Sequence, residues 1–547
     1  MKTRLLVTLW SIMAGSTAFA QLNNHPAAPR IKTLNGELEG TCLSGISIFK
    51  GVPFAKPPIG KLRWKEPQPV DNWKGIRKAD KFGPMAMQLP VYDDMIFRSD
   101  GMSEDCLYLN VWTPAKSPAE RLPVLVYFFG GGFIAGDGSE SRYEGENMAR
   151  QGIVAITVNF RLTVFGLLAH PELTKESPHH ASGNYTLLDQ AAALKWVKQN
   201  IAAFGGDPAK ITIAGESAGS YSVSAQVTSP LSRKLIAGAI GESGALLGMH
   251  APSPLAEAEK TGLEFAEELG ASSLAELRAM PAEKILEATG KTDDSRFPVT
   301  VDGYFFPKMP GEIFAAGEQA NVPLLVGWNS EENNYQAILG NEEPTVENYT
   351  KALKRQYGDH AAEVLKYYPA ASNDLVKSAA TKLASDEFMG YCTWKWSDIQ
   401  IRTGTKPVYR YLFCRPRPLM KTEVNSMLIG EANGSLKKGT LDAAVKSALD
   451  HGAPHSGEIE YVMGNLPGNQ VFDWRPDDYK VSLVFQAYFV NFIKTGNPNG
   501  LGLPVWPALK TGQPADVMHV DADTRSEQEK DSERAQYLFF DSRYTAH

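Results

Sequence analysis

The stretch "ITIAGESAGS", residues 211–220, runs an apolar, β-branched segment straight into a serine flanked by Gly215, Glu216, Ala218 and Gly219. The segment reads as a strand and the following "SAGSYSVSAQV" as a helix. Small residues at this junction mark a turn in which side chains at the two glycine positions would strike neighbouring backbone. Such a turn lifts the Ser217 hydroxyl out of a sheet and aims a helix N-terminus at it, where developing negative charge is favoured. The Gly-x-Ser-x-Gly pattern between strand and helix is that of a nucleophile elbow. An ordinary strand-to-helix turn is the alternative, and five residues alone do not separate the two.

The rest of the chain supplies the sheet. "LPVLVYFF" (122–129) and "GIVAITVNF" (152–160) are unbroken apolar runs, as strands buried on both faces require. "LIAGAIG" (235–241), "VPLLVGWN" (322–329) and "KPVYRYLF" (406–413) continue the series. Between strands, "LLDQAAALKWVKQNI" (187–201) places Leu187, Leu188, Ala191, Leu194, Val197 and Ile201 on one helical face. This alternation predicts a mostly parallel sheet with helices on both faces, and ligands bound beyond the carboxyl ends of its strands. Charged helical insertions at roughly 254–290 and 340–400 would cap that edge. No repeat and no low-complexity linker divides the chain, so a single domain over 21–547 is expected.

Composition narrows the function classes. The chain has 547 residues, 43% hydrophobic and 21% charged, with a formal net charge of −7. It has no basic stripe, which argues against a nucleic-acid partner. Residues 1–20 read as a secretory signal. Lys2 and Arg4 precede the apolar "LLVTLW", and "AFA" (18–20) gives a small-x-small cleavage site. That core is too short to span a membrane, and no later segment runs 18 apolar residues without charge. An exported protein, periplasmic or secreted after cleavage near Ala20, is expected. Asn184, Asn348 and Asn433 head N-x-S/T sites that matter only in a eukaryotic secretory route. Cys42, Cys106, Cys392 and Cys414 are too scattered for a zinc cluster or a disulfide scaffold. Cys392 and Cys414 are the nearest pair, and export would permit a bridge between them; burial as small hydrophobes is the alternative.

A second glycine-rich element, "FFGGGF" (128–133), also sits at a strand end. Its glycines let backbone N–H groups face a cavity, as an oxyanion hole needs. A phosphate loop would require Gly-Lys-Ser/Thr next, whereas Phe133 and Ile134 follow. A dinucleotide fingerprint fits formally through Gly130, Gly132 and Ala135, but the next strand ends in "NFR" without the acidic ribose ligand. A serine nucleophile on such a sheet takes an acid and then a histidine downstream. His360, His451, His455, His519 and His547 all qualify by position, and spacing does not choose among them.

The chain resembles the type-B carboxylesterases, the family that includes the cholinesterases and some fungal lipases. "SEDCLYLNVW" (103–112) is similar to one family signature and "ITIAGESAGS" to the other. The similarity extends from "FKGVPFAKPPIGKLRW" (49–64) through "GNYTLLDQAAALKWVKQNIAAFGGDP" (183–208) to "FIKTGNPNG" (492–500). The resemblance implies an α/β-hydrolase fold and a Ser-Glu-His triad that hydrolyses carboxylic esters through an acyl-enzyme, with no metal and no cofactor. It assigns Ser217 as nucleophile. "GWNSEE" (327–332) offers Glu332 as the acid, and "HSGEIEYVMG" (455–464) selects His455 over His451. It places the oxyanion donors at the N–H groups of Gly131, Gly132 and Ala218, and Ser243 as a support behind the triad. Arg63 with Glu104, and Arg161 with Asp189, match structural ion pairs of the family.

Several positions depart from the family pattern. Phe129 stands where many relatives carry histidine, and Asn333 replaces a glycine after the acid. Ala86 stands where relatives have the cysteine that bridges to the one in "SEDC", which leaves Cys106 unpaired. The loop 87–105, "MQLPVYDDMIFRSDGMSED", lacks the tryptophan with which cholinesterases hold quaternary ammonium, so choline esters are not expected. Its apolar side chains form either a mobile lid, as in family lipases, or a fixed pocket wall. Phe133, Leu246, Leu247 and Tyr335 are the expected pocket residues, or else core. The reading is a serine carboxylesterase for a small-molecule ester, with a lipase, or a non-catalytic cholinesterase-like binding protein, as alternatives.

Overall fold

The apolar runs become the middle of an 11-stranded sheet. The computed structural model describes residues 28–92, 95–290, 296–419, 421 and 452–544. The leader at 1–20, Asn433, His451 and His547 lie outside the described residues. Seven strands run parallel in the order Asp516–Val520, Val408–Phe413, Leu324–Asn329, Gly238–Glu242, Gly206–Glu216, Leu122–Phe128, Val154–Val158. Antiparallel strands extend both ends: Arg525–Gln528 on one side, and Tyr108–Thr113, Ile46–Pro53 and Thr41–Leu43 on the other. Val124, Val126, Val154, Ile156, Ile211 and Ile213 are at most 1% exposed, because helices cover both faces. Full burial of such a side chain is worth roughly 1.5–3 kcal/mol, so unbroken apolar sequence belongs where no face meets water.

The helix Tyr185–Asn200 covers one face and buries Leu187, Leu194 and Val197 completely. It is tied to the helix Ala218–Thr228 by Gln190 Nε2 donating to Ser222 Oγ at 2.8 Å, and by Gln226 Nε2 donating to the Leu187 carbonyl at 2.9 Å. The two insertions differ in character. Helices Leu255–Glu268, Leu274–Ala279 and Ala282–Thr289 send Phe265, Leu277 and Ile285 into the main core. The helices from Val346 to Thr403 build their own core around Tyr349, Leu353, Val376, Leu383 and Trp394, closed by Tyr537 and Phe540 of the final helix Asp531–Tyr544. Among the described residues no helix is long and apolar enough to cross a membrane.

The cysteines are not bridged among the described residues. Cys392 is buried, its thiol donating to the Met389 carbonyl at 3.3 Å, while Cys414 faces His519 Nδ1 across 4.0 Å. The Cys392–Cys414 bridge that export would permit is therefore not made. Cys106 is a buried free thiol.

Register sets the site. Gly215 pairs with Phe128 on one side and Gly241 on the other, and Glu216 with Glu242, which pairs with Gly327. Ser217 and Ser243 thus leave the sheet at the same level, beside the loop that carries Glu332. The crossing of strand and helix is as close as the backbone allows. A Cβ on Gly219 would lie 2.1 Å from the Phe128 carbonyl oxygen, and one on Gly215 2.6 Å from the same atom. Gly219→Ala should therefore cost about 1–3 kcal/mol or more in overpacking and lower ester turnover at least about tenfold by displacing Ser217. Chemical denaturation and steady-state kinetics check this, and wild-type values in both would show that the crossing tolerates a methyl group.

Candidate active site

Ser217 caps the helix Ala218–Thr228 with φ 56° and ψ −121°, a backbone conformation that a non-glycine residue adopts only under constraint. Its N–H donates to the Glu242 carbonyl at 2.9 Å, and its own carbonyl accepts from Tyr221 N–H at 2.9 Å. Held this way, its Oγ lies 3.0 Å from His455 Nε2. His455 Nδ1 in turn lies 2.5 Å from Glu332 Oε2. The other oxygen of Glu332 accepts from Ser243 Oγ at 2.5 Å and from Asn329 N–H at 2.6 Å. Four segments that are distant in sequence supply one continuous hydrogen-bonded line, buried throughout: Ser217 and His455 are 7% and 8% exposed, Ser243 and Glu332 not at all.

The glycine loop lies against this line. A Cβ on Gly130 would meet Glu216 Oε2 at 2.5 Å and the Glu216 carbonyl oxygen at 2.9 Å, so a side chain there would have to displace Glu216 and its backbone. Gly131 and Gly132 take φ 102° and 64°, conformations that glycine reaches without steric cost. The Gly131 carbonyl accepts from Ile134 and Ala135 N–H, which curls the loop so that its amides are free of strand pairing. Phe129 stacks on Phe160 at 4.2 Å and 14° and fills the space over Gly136, where a Cβ would meet its ring at 2.3 Å. Packing thus fixes the loop where relatives have histidine.

The loop 87–105 is fastened at both ends. Gln88 exchanges two hydrogen bonds with the Gly136 backbone at 2.8 and 3.0 Å. Arg98 donates to the Ser139 carbonyl at 2.5 Å and pairs with Glu144 at 2.6 Å. Between these anchors the Met95 methyl sits 3.0 Å from a Cβ built on Gly131, and the Tyr92 hydroxyl 3.4 Å from one built on Gly132. Of the expected pocket residues, Phe133 is buried beside Tyr221, their centroids 6.5 Å apart, and Leu246 and Leu247 are buried in the main core. Tyr335 packs instead on the insertion's separate core, with Lys377 Nζ 5.3 Å above its ring. The Arg161–Asp189 pair is fully buried at 2.6 Å and Arg63–Glu104 nearly so at 2.5 Å.

Two neighbours of His455 were not singled out from sequence. Phe388 sets its ring edge-on to the imidazole, centroids 5.1 Å apart, from a short i→i+5 turn at Asp386–Gly390, a feature frequent near functional sites. Glu216, the variable residue within "GESAG", brings Oε1 to 3.2 Å from His455 Nε2. Its place before Ser217 was visible in the elbow pattern, but its reach to the imidazole follows from the fold and carries no sequence signal. Burial opposes the imidazolium, but the carboxylates of Glu216 and Glu332 outweigh it and raise the His455 pKa from 6.5 to about 9. Glu458, whose Oε2 accepts from Asn329 Nδ2 at 2.6 Å, is pushed up to about 8 by burial and by Glu216. Among the described residues no cluster of His, Cys, Asp and Glu could hold a metal ion.

A buried serine on a sharp strand-to-helix turn, an imidazole 3.0 Å away, a carboxylate behind the imidazole and a glycine loop alongside define a serine hydrolase of the α/β-hydrolase fold. The chain belongs to the carboxylesterase family, whose profile matches residues 27–539. It is 33% identical to a fumonisin B1 esterase of Sphingopyxis macrogoltabida over 92% of this chain and 88% of that one. It is 30% identical to the para-nitrobenzyl esterase of Bacillus subtilis over 93% and 98%. A solved carboxylesterase of Geobacillus stearothermophilus superposes with a TM-score of 0.75 at 29% identity, covering 93% of this chain and 99% of that one. The protein is a carboxylic ester hydrolase.

Only a neutral imidazole accepts a proton, so a site that uses His455 as its base is active only when His455 is neutral. kcat/KM should rise with pH through a midpoint near 9, well above the ordinary imidazole value of 6.5. Glu216→Gln removes one carboxylate and should move that midpoint to lower pH. A midpoint unmoved in Glu216→Gln would mean that Glu216 does not govern the base.

Proposed function

We propose that Ser217, His455 and Glu332 carry the ester chemistry, on the observation that one imidazole spans Ser217 Oγ at 3.0 Å and Glu332 Oε2 at 2.5 Å. A serine hydroxyl is a weak nucleophile at neutral pH. His455 Nε2 takes the hydroxyl proton as Oγ bonds to the ester carbonyl carbon. Glu332 holds the Nδ1–H tautomer and stabilises the imidazolium, while Ser243 and Asn329 fix the carboxylate through its other oxygen. Negative charge moves to the carbonyl oxygen, facing the N–H groups of Gly131, Gly132 and Ala218. One such donor is typically worth about 10²–10³ in rate. Collapse expels the alcohol, which takes the proton from His455. Water, deprotonated by the same imidazole, then releases the acid and restores Ser217.

The substrate reading is an uncharged ester with an apolar acyl group. Phe133, Leu246 and Leu247, buried beside the glycine loop and after Ser243, support it. The anchored loop over Gly131 and Gly132 supports a fixed wall and an esterase rather than an interfacial lipase. The catalytic domain begins after residue 20, and export with cleavage after Ala20 completes the reading; mass spectrometry of the mature N-terminus should find Gln21 first.

Ser217→Ala and His455→Ala should each lower ester turnover by about 10⁴–10⁶, and a fluorophosphonate should label the wild type but not Ser217→Ala. An unlabelled wild type, or His455→Ala with nearly full activity, would contradict the assignment. Activity that jumps above the substrate's solubility limit would favour the lipase.

A further inference from the structure

A second concavity of about 130 Å³ opens between segments 64–68, 173–188 and 302–304, and no triad or oxyanion residue lines it. Leu173 and Leu188 give it an apolar wall. Tyr185, only 4% exposed, lines it with a hydroxyl that has no hydrogen-bond partner among the described residues. The hydroxyl oxygen is open to the cavity rather than sealed off, so it is available to hydrogen-bond with an occupant.

The cavity also holds carboxylates in contrasting states. Glu176 is clasped by the Arg278 guanidinium, one N–H donating at 2.8 Å, and that guanidinium holds its carboxyl below the usual range; Lys65, which also lines the cavity, sets its Nζ 3.8 Å from the same carboxylate. Asp302 is held by the Tyr304 and Phe306 N–H groups at 3.1 and 3.0 Å. Glu66 has neither. The Tyr304 hydroxyl reaches it at 3.5 Å and His179 Nε2 at 3.7 Å, and no lysine or arginine pairs with it among the described residues. Its carboxyl is raised by burial, as a half-buried charge without a compensating cation must be. Beside it the Tyr304 ring lines the cavity, backed by the His179 ring stacked on it at 3.6 Å and 6°.

A carboxylate that no lysine or arginine pairs among the described residues, the Tyr304 ring, the open Tyr185 hydroxyl and an aliphatic wall around one small cavity are together complementary to an organic cation with a short apolar body, while Lys65 is engaged with Glu176. An ammonium donates to Glu66, is attracted to the Tyr304 ring, and leaves its alkyl chain on Leu173 and Leu188. We propose that this cavity binds a small primary alkylammonium, at a site separate from the ester-hydrolysing centre. The proposal does not rest on the triad assignment, because none of these residues belongs to it.

The probe is n-butylammonium, titrated by calorimetry or ligand-observed NMR, with n-butanol and butyrate as the neutral and anionic counterparts. Saturable binding on the order of millimolar is expected for the ammonium alone, and it should persist after a fluorophosphonate has occupied the ester site. Glu66→Gln should weaken it at least about tenfold, the scale of one lost charge-assisted hydrogen bond, with ester turnover unchanged. Tyr185→Phe should weaken it by a smaller factor, so the proposal stays testable if one variant folds poorly. Equal binding of n-butanol, unchanged affinity in Glu66→Gln, displacement by the fluorophosphonate, or no saturation at tens of millimolar would each overturn it.

Discussion

The contact between the Gly219 backbone and the Phe128 carbonyl oxygen fixes the geometry from which the rest follows. A Cβ at Gly219 would come within 2.1 Å of that oxygen, so the helix after Ser217 can cross the strand Leu122–Phe128 only through glycine. That crossing forces Ser217 to φ 56° and turns its hydroxyl away from the sheet. The same strand leads directly into the glycine loop, so one backbone contact sets the spacing between the Ser217 hydroxyl and the amides of that loop. Strain at a single residue is sustainable here because the sheet on both sides is close-packed and wholly buried.

Parallel pairing then does for Glu332 and His455 what the glycine contact does for Ser217. Strands that end at one level deliver loops to one place, and the pairing of Glu216 with Glu242 and of Glu242 with Gly327 brings Ser217, Ser243 and Glu332 together over more than a hundred residues of sequence. Neither histidine nor glutamate is tethered by covalent bonds near the serine. Hydrogen bonds from Ser243 and Asn329 orient the glutamate, and the glutamate orients the imidazole. The site is thus a chain of positioning interactions that begins in sheet register and ends at Nε2 of His455. The surplus of carboxylates around that imidazole is costly in a buried site, and its consequence is a base whose charge is held unusually firmly.

Much of this was legible in the amino-acid sequence, and the failures are physical. Apolar runs such as 122–129 and 152–160 announced buried strands because no polar face interrupts them. The antiparallel strands Tyr108–Thr113, Ile46–Pro53 and Thr41–Leu43 escaped notice, since Lys50, Gly51 and exposed Thr41–Leu43 break any simple period. Ser217 was marked by its own steric surroundings. His455 was not, because a histidine's role depends on what the fold brings to it, and only the similarity of "HSGEIEYVMG" to the family chose it. For Tyr335 the sequence left pocket and core open, and its ring packs on the insertion's core. Glu216 was in full view within the elbow, but that its carboxylate would reach back to the imidazole is a fact of three-dimensional register.

A crystal structure of the phosphonylated enzyme tests the central claim most directly. The account predicts phosphorus bonded to Ser217 Oγ, and its anionic oxygen about 2.7–3.1 Å from the amide nitrogens of Gly131, Gly132 and Ala218, the span expected of an oxyanion hole. His455 would remain bridged to Glu332. Phosphorus on another residue, or an anionic oxygen turned to solvent with those amides unengaged, would contradict it.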